Sequence, residues 1–208
     1  FRQKFIISLN TPLSAGFLTL ANGLAQRNTC TAGERIAMPK QDHDLFARLD
    51  DLGIAHETIE HPAVFTVEES QKLRGRLTGA HIKNLFLRDR KKRLFLCSVL
   101  EDREVDLKAL RKRLGAKDSL SFGSPETLME VLGVLPGSVT PLAVVNDTDR
   151  QVTVVLDEGI FAQPVVNCHP LRNTATTTVA VGDLLRFLEA EGYAPERIDF
   201  GQALFPDS

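Results

Sequence analysis

A lysine set inside an apolar run is the most informative chemical feature of this sequence. The run is Ile82-Lys83-Asn84-Leu85-Phe86-Leu87. In a strand, successive side chains face opposite ways. Lys83 then shares a face with Leu85 and Leu87, and Asn84 shares the other with Ile82 and Phe86. An ammonium among apolar neighbours costs desolvation unless a polar or anionic group meets it. Two readings stand: a functional lysine that meets such a group, and an edge-strand lysine that snorkels to water.

Pro136-Gly137-Ser138-Val139-Thr140-Pro141 is a loop with proline at both ends and glycine at its second position. Glycine permits close backbone approach and proline fixes the exit. Such a loop can present amide N–H groups to a carbonyl or oxyanion; it can also be a plain connector. Asn167-Cys168-His169-Pro170 raises the prospect of a thiol–imidazole pair. In a strand these neighbours point apart, so Cys168 reads as core and His169 either as a pocket hydrogen-bonder or as a turn histidine before Pro170. His61-Pro62 reads as a turn.

The chain lacks a G-x-S-x-G elbow, a Walker loop, G-x-G-x-x-G and H-E-x-x-H. Its five histidines have no metal-ligand spacing, and Cys30, Cys97 and Cys168 are scattered and odd in number. That excludes a disulfide framework or a zinc ribbon and fits a reducing, cytoplasmic compartment. The chemistry expected is free of metal and cofactor. Two basic clusters follow Lys83. Arg88, Arg90, Lys91, Lys92 and Arg93 surround one turn, and Lys108, Arg111, Lys112, Arg113 and Lys117 line a helix and its exit. Such runs are ordinarily solvated faces, but here a phosphate backbone can lie on them while its end reaches Lys83.

The elements that must position these residues alternate between short helices and strands. Asp42 reads as the cap of a helix with Leu45, Phe46, Leu49 and Leu52 inward, closed by Gly53; Thr66-x-x-Glu69 is a capping box for a second, ending near Gly75. Asp106 and Ser124 cap two more, stopped by Gly115 and Gly133, and Val181, Leu184, Leu185 and Leu188 mark the last. Residues 82–88 and 93–100 read as a hairpin turned at 89–92, and 142–146 with 152–156 as a second turned at 147–150. Strands at 164–168 and 175–181 complete the set. Hairpins imply antiparallel pairing rather than a doubly wound parallel sheet.

The 208 residues carry 25 basic and 27 acidic side chains, so a broadly basic nucleic-acid binder is excluded. No apolar run reaches the ~18 residues of a membrane helix. Residues 1–37 hold four basic residues and one acidic, leaving residues 38–208 with 21 basic against 26 acidic, net −5. This stretch is Ser-, Thr-, Asn- and Gly-rich without a sustained period, and Met38 follows it closely. A transit-like peptide and a leader of artificial or mis-assigned origin both fit, the second better; the apolar stretches are too broken for a secretory signal. Residues 1–37 are expected to be an unstructured leader and 38–208 a single domain.

Five ordered segments together resemble the YbaK/ProX family of aminoacyl-tRNA deacylases, nearest to its ProXp-ala (PrdX) branch, which is related to the editing domain of bacterial prolyl-tRNA synthetases. They are 61–69 (HPAVFTVEE), 83–89 (KNLFLRD), 105–110 (VDLKAL), 132–141 (LGVLPGSVTP) and 166–177 (VNCHPLRNTATT). The resemblance spans about residues 42–200, leaves 1–37 without a counterpart, and departs at Cys168, where an aromatic is expected. It implies an α+β fold: a mixed, mostly antiparallel sheet curled into a partial barrel with short helices around it. It implies hydrolysis of the ester of mischarged Ala-tRNA(Pro). Lys83 is then catalytic, Gly137 opens the loop that approaches the aminoacyl group, and His169 and Asn84 line the pocket with Ser138, Thr140, Pro141 and Asn173. Water attacks without a side-chain nucleophile. A prolyl site loses only ~1–3 kcal/mol on a smaller apolar side chain, so a second, small apolar site must correct alanine; Val64, Phe65, Leu85 and Val139 are its expected walls. Arg88 to Arg93 and Lys108, Arg111 and Lys112 are the expected tRNA contacts. Prolyl-tRNA synthetase or an elongation factor is a conceivable companion, and no membrane is involved. Two alternatives remain: a deacylase for another mischarged tRNA, such as Cys-tRNA(Pro) or Ser-tRNA, and a non-catalytic tRNA- or synthetase-binding module.

Overall fold

The computed structural model describes residues 38–62 and 77–201. The expected leader 1–37, the 66–69 capping box, and Val64 and Phe65 lie outside the described residues. In chain order the elements are α1 (Asp42–Asp51), β1 (His56–Glu60), β2 (Ala80–Asp89), β3 (Leu94–Leu100), α2 (Leu107–Arg113), β4 (Leu120–Phe122), α3 (Pro125–Leu132), a 3₁₀ segment (Pro141–Asn146), β5 (Val152–Asp157), a second 3₁₀ segment (Glu158–Ala162), β6 (Val165–Cys168), β7 (Ala175–Ala180), α4 (Val181–Ala190) and β8 (Glu196–Ile198).

The strands form one open mixed sheet in the order β1-β7-β6-β2-β3-β5-β8, with β4 also paired to β2. The pairs β1–β7, β2–β3, β2–β4 and β6–β7 are antiparallel, while β2–β6, β3–β5 and β5–β8 are parallel. The fold is therefore α+β, as expected. The first hairpin forms, but with its register one residue further along β3 than a turn at 89–92 implies: Arg88 stands opposite Leu94, Asn84 opposite Ser98 and Lys83 opposite Val99. Its turn is tied by Asp89, which accepts from the amide (3.0 Å) and Nε (2.8 Å) of Arg93 and from the amide of Lys117 (3.2 Å). Burial pushes the Asp89 carboxyl up, but the Lys117 amide and the Arg93 guanidinium and amide outweigh it and hold it below its ordinary value.

The second expected hairpin does not form. Residues 141–146 are a 3₁₀ segment, and β5 instead pairs in parallel with β3. Pro141 has no N–H to give a ladder. The Thr140 carbonyl accepts from the Ala143 amide (3.1 Å), and its hydroxyl accepts from the Leu142 amide (3.4 Å). Pro141 through Val145 are all buried, so this short apolar run matched a buried strand by composition alone.

Asp106 caps α2 and Ser124 caps α3, as read. At α1 the cap is Gln41 rather than Asp42: the Gln41 amide donates to the Asp44 carboxylate (2.8 Å), and Asp42 sits in the first turn. The Asp42 carboxylate is instead engaged by Arg172 Nε at 2.6 Å.

Two apolar cores lie on the two faces of β2. Phe86 belongs to the larger, with Leu96, Leu142, Val154, Val166, Leu184 and Phe187, and Ile82 and Val139 pack against it. Leu87 belongs to the smaller, with Phe95, Cys97, Val99, Leu110 and Phe200, and Leu85 packs against it. Both faces of β2 are thus pinned by burial, which fixes which way every side chain on it points.

Candidate active site

β2 is flanked by β3 along residues 82–88, but its other edge is shared by two short partners. β6 pairs only with Ala80 and His81, and β4 only with Leu87 to Asp89. Between them residues 82–85 have no strand neighbour on that side among the described residues. This open edge is where the expected site residues gather. β6 leaves β2 at Asn167, so Cys168 and His169 lie just beyond the divergence.

The loop 136–141 is pinned there. Asn84 Nδ2 donates to the Val139 carbonyl at 2.9 Å, and Asn84 Oδ1 accepts from the Ser98 hydroxyl at 2.7 Å. Both amide ends of Asn84 are committed, so its orientation is fixed from β3 and handed on to the loop. Gly137 has φ +90°, a conformation a side chain strains, and a Cβ there would lie 3.6 Å from Asn173 Nδ2. Ser138 and Thr140 are buried, and Thr140 hydrogen-bonds the Cys168 thiol. Loop, Asn84, Asn173 and the end of β6 therefore form one contiguous group.

His169 Nδ1 lies 3.1 Å from the Ala175 carbonyl. A carbonyl only accepts, so Nδ1 carries the proton and Nε2 keeps a lone pair. Burial pushes the His169 pKa down; the Ala175 carbonyl opposes this, and nearby His61 adds to it. His169 is thus a neutral imidazole at pH 7, with Nε2 able to accept a proton or orient a water. His61, read as a turn residue, joins this side: its ring is 2.9 Å from the Thr176 hydroxyl and 2.8 Å from the Pro62 carbonyl. Cys168 is core, as expected, its thiol pushed up by burial to about 12.

Lys83 and Leu85 stand on the other face of β2, so the structure does not bring them to the loop. The Lys83 ammonium donates to the carbonyls of Glu101 (3.2 Å) and Arg103, beyond the end of β3. Its pKa is pushed down by burial, against the opposing pull of the Glu101, Asp102, Glu104 and Asp157 carboxylates. Leu85, expected to wall the pocket with Val139, packs on the smaller core.

This geometry sits inside a recognisable sequence. The model of the aminoacyl-tRNA editing domain matches residues 61–187. The chain belongs to that family. It is 44% identical over 154 residues to prolyl-tRNA synthetase associated domain-containing protein 1 of Danio rerio, covering 73% of this chain and 83% of that protein. It is 37% identical over 149 residues to the prolyl-tRNA editing protein ProX of Acetoanaerobium sticklandii, covering 71% and 90%. A solved structure described as a candidate trans-editing enzyme for prolyl tRNA synthetase superposes with a TM-score of 0.60 at 22% identity, over 76% of this chain and 94% of the other. At that identity the likeness speaks for the fold, which is that of the editing domain.

Within this editing domain, the two basic clusters meet at the far end of β2 from Ala80. Arg93 donates to the Gly115 carbonyl (2.6 Å) just past α2, and the backbone amide of Lys117 donates to Asp89 (3.2 Å). Arg90, Lys91, Lys92, Lys108 and Lys112 are exposed, while Arg88 and Arg111 are half-buried. Arg93 is spent on tying the turn.

Sequence reasoning passed over Arg172. Its guanidinium binds Asp42 (2.6 Å), both oxygens of Glu60 and the Thr174 hydroxyl (2.8 Å), clasping the segment that carries His169 and Asn173 to α1 and β1. Leu171 beside it has φ +64°, a strained conformation for a side chain of that size. Ser98 was one residue out of reach: a hairpin turned at 89–92 places Cys97 opposite Asn84, whereas the observed register, with Arg88 opposite Leu94, places Ser98 there.

Proposed function

We propose that this chain is a trans-editing aminoacyl-tRNA deacylase that hydrolyses the ester of mischarged Ala-tRNA(Pro), the substrate of the ProXp-ala branch. Family membership supports ester hydrolysis on aminoacyl-tRNA. The names of the relatives, a prolyl-tRNA editing protein among them, favour tRNA(Pro). The observation that carries the reading is the hydrogen bond from Asn84 Nδ2 to the Val139 carbonyl. It holds a glycine-opened loop beside Asn173 and a neutral histidine at an open strand edge. The aminoacyl group enters along that edge and the loop limits its size, which admits alanine and turns away proline. His169 Nε2 orients the attacking water. Lys83, on the opposite face of β2 from the loop, uses two of its three N–H donors on carbonyls, and a substrate that crosses the open edge at residues 82–85 brings its ester or terminal ribose to the third, which stabilises the developing oxyanion. The exposed basic residues at the hairpin tip and on α2 take the acceptor-stem phosphates. The protein acts on tRNA released from the synthetase, in the cytoplasm.

Deacylation of Ala-, Cys-, Ser- and Pro-tRNA(Pro) by the wild type and Lys83→Ala tests this. Turnover of Ala-tRNA(Pro) at least tenfold above the others, lowered at least a hundredfold but still measurable in Lys83→Ala, is expected. Turnover of none removes the enzyme reading, and full activity in Lys83→Ala removes the role of the lysine.

A further inference from the structure

The ammonium of Lys83 rests on the carbonyls of a short bend, Glu101–Arg103, whose Glu101 amide donates to the His81 carbonyl of β2 (2.9 Å) and whose Arg103 amide closes a turn on the Leu100 carbonyl (3.1 Å). Asp157 at the end of β5 adds a side-chain tie to that bend. Its side chain is fully buried. One oxygen accepts from the Leu100 amide at 3.2 Å, immediately before the bend, and lies 3.5 Å from Arg103 Nε within it. The other accepts from the Gly159 amide at 3.0 Å. Asp157 thus grips the bend at both ends and ties it to the second 3₁₀ segment.

The guanidinium that completes the grip has a slot made for it. A Cβ on Gly159 would come within 3.0 Å of Arg103 Nη2, and one on Gly201 within 2.5 Å of Nη1. A side chain at either place would push the guanidinium aside from its present position against Asp157. The arrangement therefore draws on three separate parts of the chain, and on the β2 side it presents a pair of oriented carbonyls to Lys83.

We propose that Asp157 and Arg103 form a positioning pair for Lys83: they set the Glu101 and Arg103 carbonyls that aim the ammonium. This rests on the reading of Lys83 as the residue that stabilises the transition state. Neither member of the pair touches substrate. Asp157 also acts on the lysine through its charge, alongside Glu101, Asp102 and Glu104, with the Arg103 guanidinium opposing them. Removing its charge lowers the Lys83 pKa further.

A double-mutant cycle on Ala-tRNA(Pro) deacylation tests the pair. Asp157→Asn is expected to lower kcat about tenfold with KM within twofold, and to bring the alkaline fall of kcat to lower pH. In the Lys83→Ala background the same substitution is expected to change kcat by less than twofold, since the group it positions is gone. An equal loss in both backgrounds, or no loss in wild type, overturns the proposal. If Asp157→Asn is recovered unfolded, the cycle is run with Arg103→Met, whose side chain is partly exposed; Arg103→Lys should restore part of kcat. Loss of activity in Lys83→Ala with additive behaviour of both partners refutes the positioning pair alone. Full activity in Lys83→Ala refutes the underlying role of Lys83.

Discussion

Replacing Asn84 by alanine tests the loop anchor most directly. The substitution deletes two hydrogen bonds, to the Val139 carbonyl at 2.9 Å and from the Ser98 hydroxyl at 2.7 Å. Each bond is worth ~0.5–1.5 kcal/mol net, and a buried group left unpaired costs ~1–3 kcal/mol. Ser98 is fully buried, so its hydroxyl must find a new acceptor or remain unpaired. The Val139 carbonyl borders the open edge of β2, where water can replace the amide. The expected loss is about 2 kcal/mol, at the lower end of the sum. With a urea slope of ~1–3 kcal/mol/M, the unfolding midpoint should fall by about 1 M. Ser98→Ala removes one bond and should cost about half as much. Asn84→Asp can still accept from Ser98 but has no donor for Val139, and sets a negative charge against a carbonyl; it should cost more than alanine. On function, Asn84→Ala should lower kcat/KM for Ala-tRNA(Pro) at least tenfold while Ser98→Ala changes it little, because only the first releases the loop. Asn84→Ala with a midpoint within 0.2 M of wild type (a change of roughly half a kcal/mol) and unchanged kcat/KM would refute the anchor.

Three further outcomes follow from the same contacts. Asp42 and Glu60 are held below their ordinary values, chiefly by their hydrogen bonds to Arg172, so this clasp stabilises the fold above the ordinary carboxylate range and is lost as pH falls through the lowered values. Arg172→Met should raise the midpoint pH of acid unfolding followed by circular dichroism, and lower kcat/KM by loosening His169 and Asn173. Burial keeps His169 neutral, so the native state binds fewer protons there than the unfolded chain below pH 6.5. The stability it contributes is complete above pH 6.5 and falls as pH drops; thermal melts of His169→Asn should show a flatter slope between pH 5 and about 6.5 than wild type, and its kcat should lose the acid limb. Arg90→Ala, Lys91→Ala and Lys92→Ala should each raise KM uniformly across aminoacyl groups and lower the salt slope of log KM by about 0.7–0.9, the signature of one phosphate contact. An unchanged slope takes those residues out of the interface.

Local chemistry was legible in the sequence wherever one short segment decided the outcome. The 82–100 hairpin, the Asp106 and Ser124 caps and the buried Cys168 all followed from alternation, capping oxygens and burial preference. Residues 141–146 failed because a buried strand and a buried 3₁₀ turn present the same apolar run, and only the Thr140 contacts separate them. β1 and β8 were passed over because neither carries a strong pattern: each is recruited at the sheet margin by a partner distant in sequence, β7 and β5. The Arg172 clasp and the Asp157–Arg103 pair were illegible for the same reason, since each joins segments more than fifty residues apart.

β2 makes stability and chemistry inseparable. Lys83 and Asn84 are consecutive, and their side chains serve opposite faces. The assignment is enforced by Ile82 and Phe86 in one core and Leu85 and Leu87 in the other. A slip of one residue in the pairing with β3 would exchange the faces. It would carry Asn84 away from Val139, carry the ammonium into the larger core, and turn four apolar side chains toward the wrong partners. The apolar neighbours that make Lys83 look out of place in the sequence are thus what hold it in place. Substitutions such as Phe86→Ala, far milder in chemistry than the loss of the lysine, should reduce deacylation through the register as well as through stability. Its expected cost is ~3–5 kcal/mol for a buried aromatic. Activity measured on the fraction still folded should also fall, because Phe86 guides the side that Asn84 takes. Folded Phe86→Ala with wild-type kcat/KM would show that the smaller core alone sets the register.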